Sequence, residues 1–248
     1  MDIIWRDLRF FIERLAGLKI SGTLRLSDEG FCVSTDNEAE NWVYYPAEVT
    51  SHDIARKAAD FFAKKGESFM WPVYDGGEKV LSDAGLTYAG ELAAMSLDPE
   101  DADTSRVNPA VKIEHITSPE LGRLWAKTAW YSFGGGEDDA PEDYRVFGSA
   151  LAEDREGISM HIARLDGQPA GTFMVTHEPD LMGVYFVGTV PGLRRKGIAA
   201  SMMNEVCRMS AGKKIVLQAT PIGAKMYKAF GFKELFRIPV YSNEEDLF

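Results

Sequence analysis

The chain has 248 residues, a formal net charge of −11 and a sequence pI near 4.9, and it is 45% hydrophobic. That is enough apolar material for one large domain or two modest ones. The acidic balance argues against nucleic-acid binding and against attraction to anionic membrane surfaces. Two cysteines, Cys32 and Cys207, form no disulfide framework and point to a reducing cytoplasm. No apolar run approaches the roughly 20 residues of a membrane helix, and the charged start "MDIIWRDLRFFIERL" is unlike a signal peptide.

That start predicts an amphipathic packing helix with Ile4, Leu8, Phe11 and Leu15 on one stripe. "NWVYYP" follows as a strand, "SHDIARKAADFFAKKG" as a helix, "SFMWPVY" as a strand, "DGGEKVLSDAGL" as a helix and "AGELAAMSLD" as a strand. The polar stretch Ser96–Ala110 is the expected linker, with two prolines and little to bury. It divides the chain into an N-terminal domain over 1–105 and a C-terminal domain over 106–248.

Beyond it, "VKIEHI" alternates as a strand. Ser118 and Pro119 then open a helix that runs to about Tyr131. Gly134–Gly136 stop that helix, and a short helix ends near Leu151. "GISMHIARL" and "PAGTFMVTH" form a hairpin across Asp166-Gly167, and "LMGVYFVGTV" is a third strand. A helix from about Gly197, the strand "KIVLQAT", a helix opened by Pro221 and the strand "FKELFRIPVYS" complete a mixed α/β fold rather than a dinucleotide-binding one. Displaced by 146 positions, the N-terminal half repeats the tail of this order: Gly85 falls on Gly231, Gly77 on Gly223 and Lys79 on Lys225. Either the chain is duplicated, or an unrelated α+β domain precedes the C-terminal one.

The densest knot of positive charge, Arg194, Arg195 and Lys196, sits where a helix begins, at the positive end of its dipole. The amides opening that helix lack internal partners, and Gly197 lets backbone approach closely. Together these features suit a polyphosphate ligand. The spacing matches neither the nucleoside-triphosphate P-loop nor the dinucleotide fingerprint.

"RRKGIA" (Arg194–Ala199) fits R/Q-x-x-G-x-G/A, and "LQATPIGAKMYKAFGF" (Leu217–Phe232) ends in Y-x-x-x-G-F. In these two blocks the chain resembles the GNAT superfamily of acyl-CoA-dependent N-acetyltransferases, over roughly Val111 to Tyr241. The N-terminal half resembles a degenerate copy, which makes the whole a tandem GNAT of α/β class with a mixed sheet. The resemblance implies acetyl-CoA as co-substrate and no metal. It implies that backbone groups of Val187 and Thr189 pair with the pantetheine arm. Amides of Arg194, Arg195, Lys196, Gly197, Ile198 and Ala199 would hold the pyrophosphate. Tyr227 would protonate the departing thiolate, although the same residue also reads as a core aromatic. The implied acceptor is a small-molecule primary amine attacking directly in a ternary complex. A protein lysine or N-terminus, or acyl-CoA sensing without turnover, are the rival readings.

In the N-terminal copy Ser51 falls on Gly197 and Leu81 on Tyr227, so that half lacks both cradle and acid. Its expected roles are scaffolding, walling the acceptor cleft, or oligomerisation with a second copy as a homodimer. The strand "MGVYFV" carries no acid, which leaves the general base unassigned, and Tyr185 reads as an acceptor-pocket residue. His177 and Glu178 read as solvated. Glu137, Asp138, Asp139, Glu142 and Asp143 either draw in a cationic amine or form a solvated loop. The tail acids Glu244, Glu245 and Asp246 read as solvated. His52, His115 and His161 show no metal-ligand spacing.

Overall fold

A computed structural model describes residues 2–37, 40–153 and 156–244; Glu245 and Asp246 of the acidic tail lie outside them. In chain order the N-terminal half runs α1 (Ile3–Ala16), β1 (Gly22–Arg25), β2 (Phe31–Ser34), β3 (Trp42–Tyr44), α2 (His52–Ala63), β4 (Trp71–Pro72), α3 (Glu78–Asp83) and β5 (Thr87–Leu97). The C-terminal half runs β6 (Lys112–His115), α4 (Pro119–Ser132), α5 (Glu142–Glu153), β7 (Ile158–Leu165), β8 (Gln168–Thr176), β9 (Leu181–Thr189), α6 (Ile198–Ser210), β10 (Lys214–Ala219), α7 (Pro221–Phe230) and β11 (Lys233–Ser242). Local chemistry sets these boundaries. Ser118 and Thr220 cap α4 and α7 by accepting from the amides of Leu121 and Gly223, each ahead of a proline at the first helical position. The two short strands β1 and β2 escape the sequence pattern because neither is long enough to show a period.

One sheet has the order β4-β11-β5-β10-β9-β8-β7-β6, and a smaller one joins β1, β2 and β3. The two sheets meet where the Val43 amide donates to the Met70 carbonyl and the Met70 amide to that of Asn41. Helices α1, α4 and α5 cover one face of the large sheet, while α6 and α7 cover the other. Helices α2 and α3 close a third core around Trp71, Phe62 and Phe69.

The halves interlock. Strand β5 of the first half lies between β10 and β11 of the second, antiparallel to both, while β11 reaches back to pair with β4. At the 146-residue offset Leu92 corresponds to Ile238, and these two residues are paired with each other. Pairing on either side is equivalent: Val240 meets Pro72 as Ala94 meets Gln218, and Tyr241 meets Trp71 as Met95 meets Leu217. The copies are therefore related by a local two-fold through the Leu92–Ile238 pair. Ser51 caps α2 as Gly197 stands before α6, and Gly85 and Gly231, both at positive φ, follow α3 and α7.

The expected linker is shorter and better anchored than its composition suggests. Ser96 and Leu97 belong to β5, and a 3₁₀ turn spans Pro99–Asp101. Its acids are stapled to the sheet end: Asp98 pairs with Lys214 at 2.5 Å and Asp101 with Lys233 at 2.7 Å. A second tie between the halves is buried. Asp7 of α1 accepts from Thr176 at 2.5 Å and from the Tyr185 hydroxyl at 2.6 Å. A Cβ on Gly183 would stand 2.1 Å from that carboxylate, so only glycine admits Asp7 there. Beside it Arg6 pairs with Glu178 at 3.3 Å. That pair corrects the solvated reading of Glu178, whose side chain is mostly buried.

Two outcomes follow from this interlock. A fragment spanning 106–248 loses β5 and exposes the facing edges of β10 and β11. It is expected to aggregate or misfold, while co-expression with 1–105 restores a soluble complex; a stable monomeric fragment on gel filtration would contradict the exchange. The second concerns Asp7, whose carboxyl is pushed up to about 7 chiefly by burial, against the hydrogen bonds from Thr176 and Tyr185. The unfolded chain releases this proton near pH 3.8, the folded chain near 7, so wild-type stability falls between those values and then levels off. Relative to wild type, Asp7→Asn should gain roughly 3–5 kcal/mol from pH 4 to 7 in urea titrations. A pH-independent difference would show that Asp7 is ionised in the fold.

Candidate active site

Strands β9 and β10 run parallel and pair only from Leu181–Lys214 to Gly183–Val216. Beyond that point β9 veers away at a bulge, where register slips between Thr172 and Met174 and Phe186 takes φ 52. The groups freed by the bulge find partners: Trp125 Nε1 donates to the Phe173 carbonyl and Thr172 Oγ1 to that of Phe186. The result is a wedge between two parallel strands. Val187 and Thr189 lie beyond the paired stretch and line the cleft.

The wedge opens onto the start of α6. Arg195 at φ 62 and Gly197 at φ 77 are both left-handed, which curls successive amides into a concave nest. Among the described residues no protein group accepts from the amides of Arg195 to Ala199. The first bond into the helix comes from the Ser201 amide to the Gly197 carbonyl. Arg195, Gly197, Ile198 and Ala199 line the cleft.

Arg194 and Lys196 take part in further contacts beside the cradle. Arg194 turns back, donating to the carbonyls of Thr189 at 3.3 Å and Ser132 at 3.0 Å, and its own amide is spent on Pro191. Lys196 does not line the cleft; its carbonyl accepts from Asn108 Nδ2 at 2.9 Å. Gly197 also has a second reason to be glycine. A Cβ there would stand 2.6 Å from the Arg106 carbonyl, so the linker packs directly on the cradle. Arg106 lines the cleft, as do Lys225 and Met226 of α7. Composition alone gave no sign of Arg106, because a lone cation in a polar linker resembles any solvated one.

Tyr227, next to the cleft-lining Met226, is 8% exposed, with its ring against Phe232 at 5.4 Å and beside Gly223, which lines the cleft. Burial pushes its hydroxyl above the ordinary phenol range, so it keeps its proton at neutral pH.

The cleft measures about 1310 Å³ and continues past the wedge into a chamber of rings. Tyr185 stacks on Phe11 of α1 at 3.9 Å, and Trp130 and Tyr144 approach to 5.6 Å. Trp42 and Met70, beside β3 and β4, close the wall from the N-terminal half. The acidic loop is largely neutralised: Asp138 pairs with Lys127, Glu142 with Arg123 and Arg145, and Asp139 holds the Trp130 indole. Away from the cleft, His115 stacks on His161, and His161 and His177 share the Ser159 hydroxyl. That cluster corrects the solvated reading of His177, which is half-buried. Among the described residues no group of three or more such side chains is arranged to hold a metal.

A splayed parallel strand pair beside an amide nest, set in a duplicated mixed sheet, is the arrangement of a tandem GNAT-like fold. The sequence model of the Acetyltransferase (GNAT) family matches residues 123–232, within the C-terminal half of the chain. A GCN5-related N-acetyltransferase from Kribbella flavida superposes with TM-score 0.66 at 15% identity, covering 98% of this chain and 96% of that one. A tandem GNAT protein from the clavulanic acid biosynthesis pathway gives TM-score 0.57 at 12% identity, covering 91% and 84%. A GCN5-related N-acetyltransferase from Sphaerobacter thermophilus gives 0.58 at 11%, covering 88% and 78%. No protein of curated function matches the chain.

Gly197→Ala tests the cradle. A methyl group there meets the Arg106 carbonyl and strains the left-handed backbone, so the variant should fold but bind CoA at least about 10-fold more weakly. Unchanged affinity by calorimetry would place the phosphate site elsewhere.

Proposed function

We propose that the protein transfers the acetyl group of acetyl-CoA to the primary amine of a small molecule, by direct attack in a ternary complex. The observation that carries this reading is the single cleft joining the amide nest to the ring-lined chamber. In it the amides of Arg195 to Ala199 receive the pyrophosphate, with Arg195, Arg106 and Lys225 adding charge. The open edge of β9 at Val187 and Thr189 offers backbone groups to the pantetheine arm as an added strand would.

Transfer is chiefly a matter of placement, with the amine held against the thioester carbonyl. The amine nitrogen bonds to that carbon, the carbon–sulfur bond breaks, and sulfur leaves with the electron pair. Tyr227 gives its proton to the departing sulfur and is reprotonated as the nitrogen sheds its own. Enclosure by Phe11, Trp42 and Met70 supports a small acceptor over a protein chain. The thiols of Cys32 and Cys207 are both free, which supports a reducing cytoplasm.

The test is a thermal-shift titration with acetyl-CoA, with ATP as control, followed by turnover on a panel of amines. Saturable stabilisation by acetyl-CoA alone is expected, and Tyr227→Phe should keep that stabilisation while slowing transfer about 10²-fold or more. An unchanged rate would move the acid elsewhere, and no shift with acetyl-CoA would remove the donor.

A further inference from the structure

The loop between β2 and β3 places one acid in the cleft. Glu40 is 8% exposed, and it lines the same cavity as the cradle. One carboxylate oxygen accepts from Trp42 Nε1 at 3.2 Å. Among the described residues no lysine or arginine pairs with it. A buried carboxylate without a cation is costly, and such groups persist where a ligand supplies the missing charge.

The loop is built to hold it. The Thr35 amide donates to Asn41 Oδ1 at 2.9 Å, Thr35 Oγ1 donates to the Glu40 carbonyl, and Asn41 Nδ2 reaches the Ser68 carbonyl at 2.8 Å. All of these side chains are buried. The rings of Phe11, Trp42, Trp130, Tyr144, Tyr185 and Phe186 line the same cleft. The two tyrosine hydroxyls are held neutral by burial. Aromatic faces and one carboxylate are the groups that recognise an alkylammonium carrying an apolar body.

We propose that Glu40, supplied by the half of the chain that lacks a cradle, pairs with the ammonium of the acceptor and selects small arylalkyl or alkyl amines. This assignment rests on the acetyltransferase reading and names its acceptor class. It also gives the N-terminal half a direct part in the site. Burial pushes the Glu40 carboxyl up to about 8, and an arriving ammonium offsets that penalty by favouring the charged form.

The experiment is calorimetric titration of phenethylamine into the full chain saturated with CoA, with phenethyl alcohol as the uncharged isostere. Affinity for CoA is measured first. Its absence would overturn the acetyltransferase reading, and phenethylamine would then be titrated into the free chain to judge Glu40 separately. The expected result is an amine bound about 10- to 100-fold more tightly than the alcohol, the range of a charge-assisted contact. In Glu40→Gln that preference should vanish while CoA affinity is retained. Equal affinity for amine and alcohol, no binding of either, or a preference that survives in Glu40→Gln overturns the proposal. The alcohol comparison uses the unaltered chain, so it decides the matter even where the variant fails to fold.

Discussion

The pairing of β5 with β11 is the constraint on which the rest of the molecule depends. Each strand fills the slot beside its partner's half that would otherwise be an open edge, and edges of that length invite aggregation. Because the exchange is reciprocal, neither half can shift without unpairing a strand of the other. The cradle on α6 and the Glu40 loop lie on different halves, yet they hold one fixed separation. A site shared between two loosely tethered domains would have to order itself at each binding event; here the sheet supplies that order in advance.

Backbone strain gathers where ligand and protein backbones must approach. Phe186, Arg195 and Gly197 all take positive φ and all line the cleft. For Phe186 the left-handed conformation is uncommon and costs on the order of 1–3 kcal/mol. That cost is offset locally, since its ring packs against Trp125 at 5.0 Å and Phe147 at 6.1 Å while its carbonyl is taken by Thr172. The strain therefore opens the wedge between β9 and β10 without loosening the core beneath it.

What was legible in the sequence was local. Arg194 to Ala199 are contiguous, so their charge, glycine and helix start appear together in one short window. The duplication was legible for a similar reason, because helix starts and post-helical glycines recur at a fixed offset, as with Gly85 and Gly231. The strand exchange was not legible, since nothing in "AGELAAMSLD" says which strand it will pair with. Glu40 was invisible for a different reason. It lies in a polar run, where an acid ordinarily faces water, and its burial depends on residues brought in from distant parts of the chain, Tyr144 among them. Asp7 was hidden in the same way, as a polar residue near the apolar stripe of α1 whose partners are Thr176 and Tyr185.

The cluster at the start of α6 posed an electrostatic problem, since three cations at the positive end of a helix repel it and one another. The structure resolves it by dividing their tasks. Arg194 is drawn off to the carbonyls of Thr189 and Ser132, and Ser132 ends α4, where the helix dipole is negative. Arg195 and Lys196 stay exposed, where solvent and salt screen them. Repulsion is thus small, and among the described residues Arg195 is committed to no internal ion pair, which leaves it available to the phosphates of the proposed co-substrate. For a chain of net charge −11, which repels an anionic co-substrate at long range, such a short-ranged pocket of positive potential is the form attraction has to take. In the proposed reading the same chain sets one of its many acids on the acceptor side, where Glu40 of the ring-lined cleft favours the opposite charge.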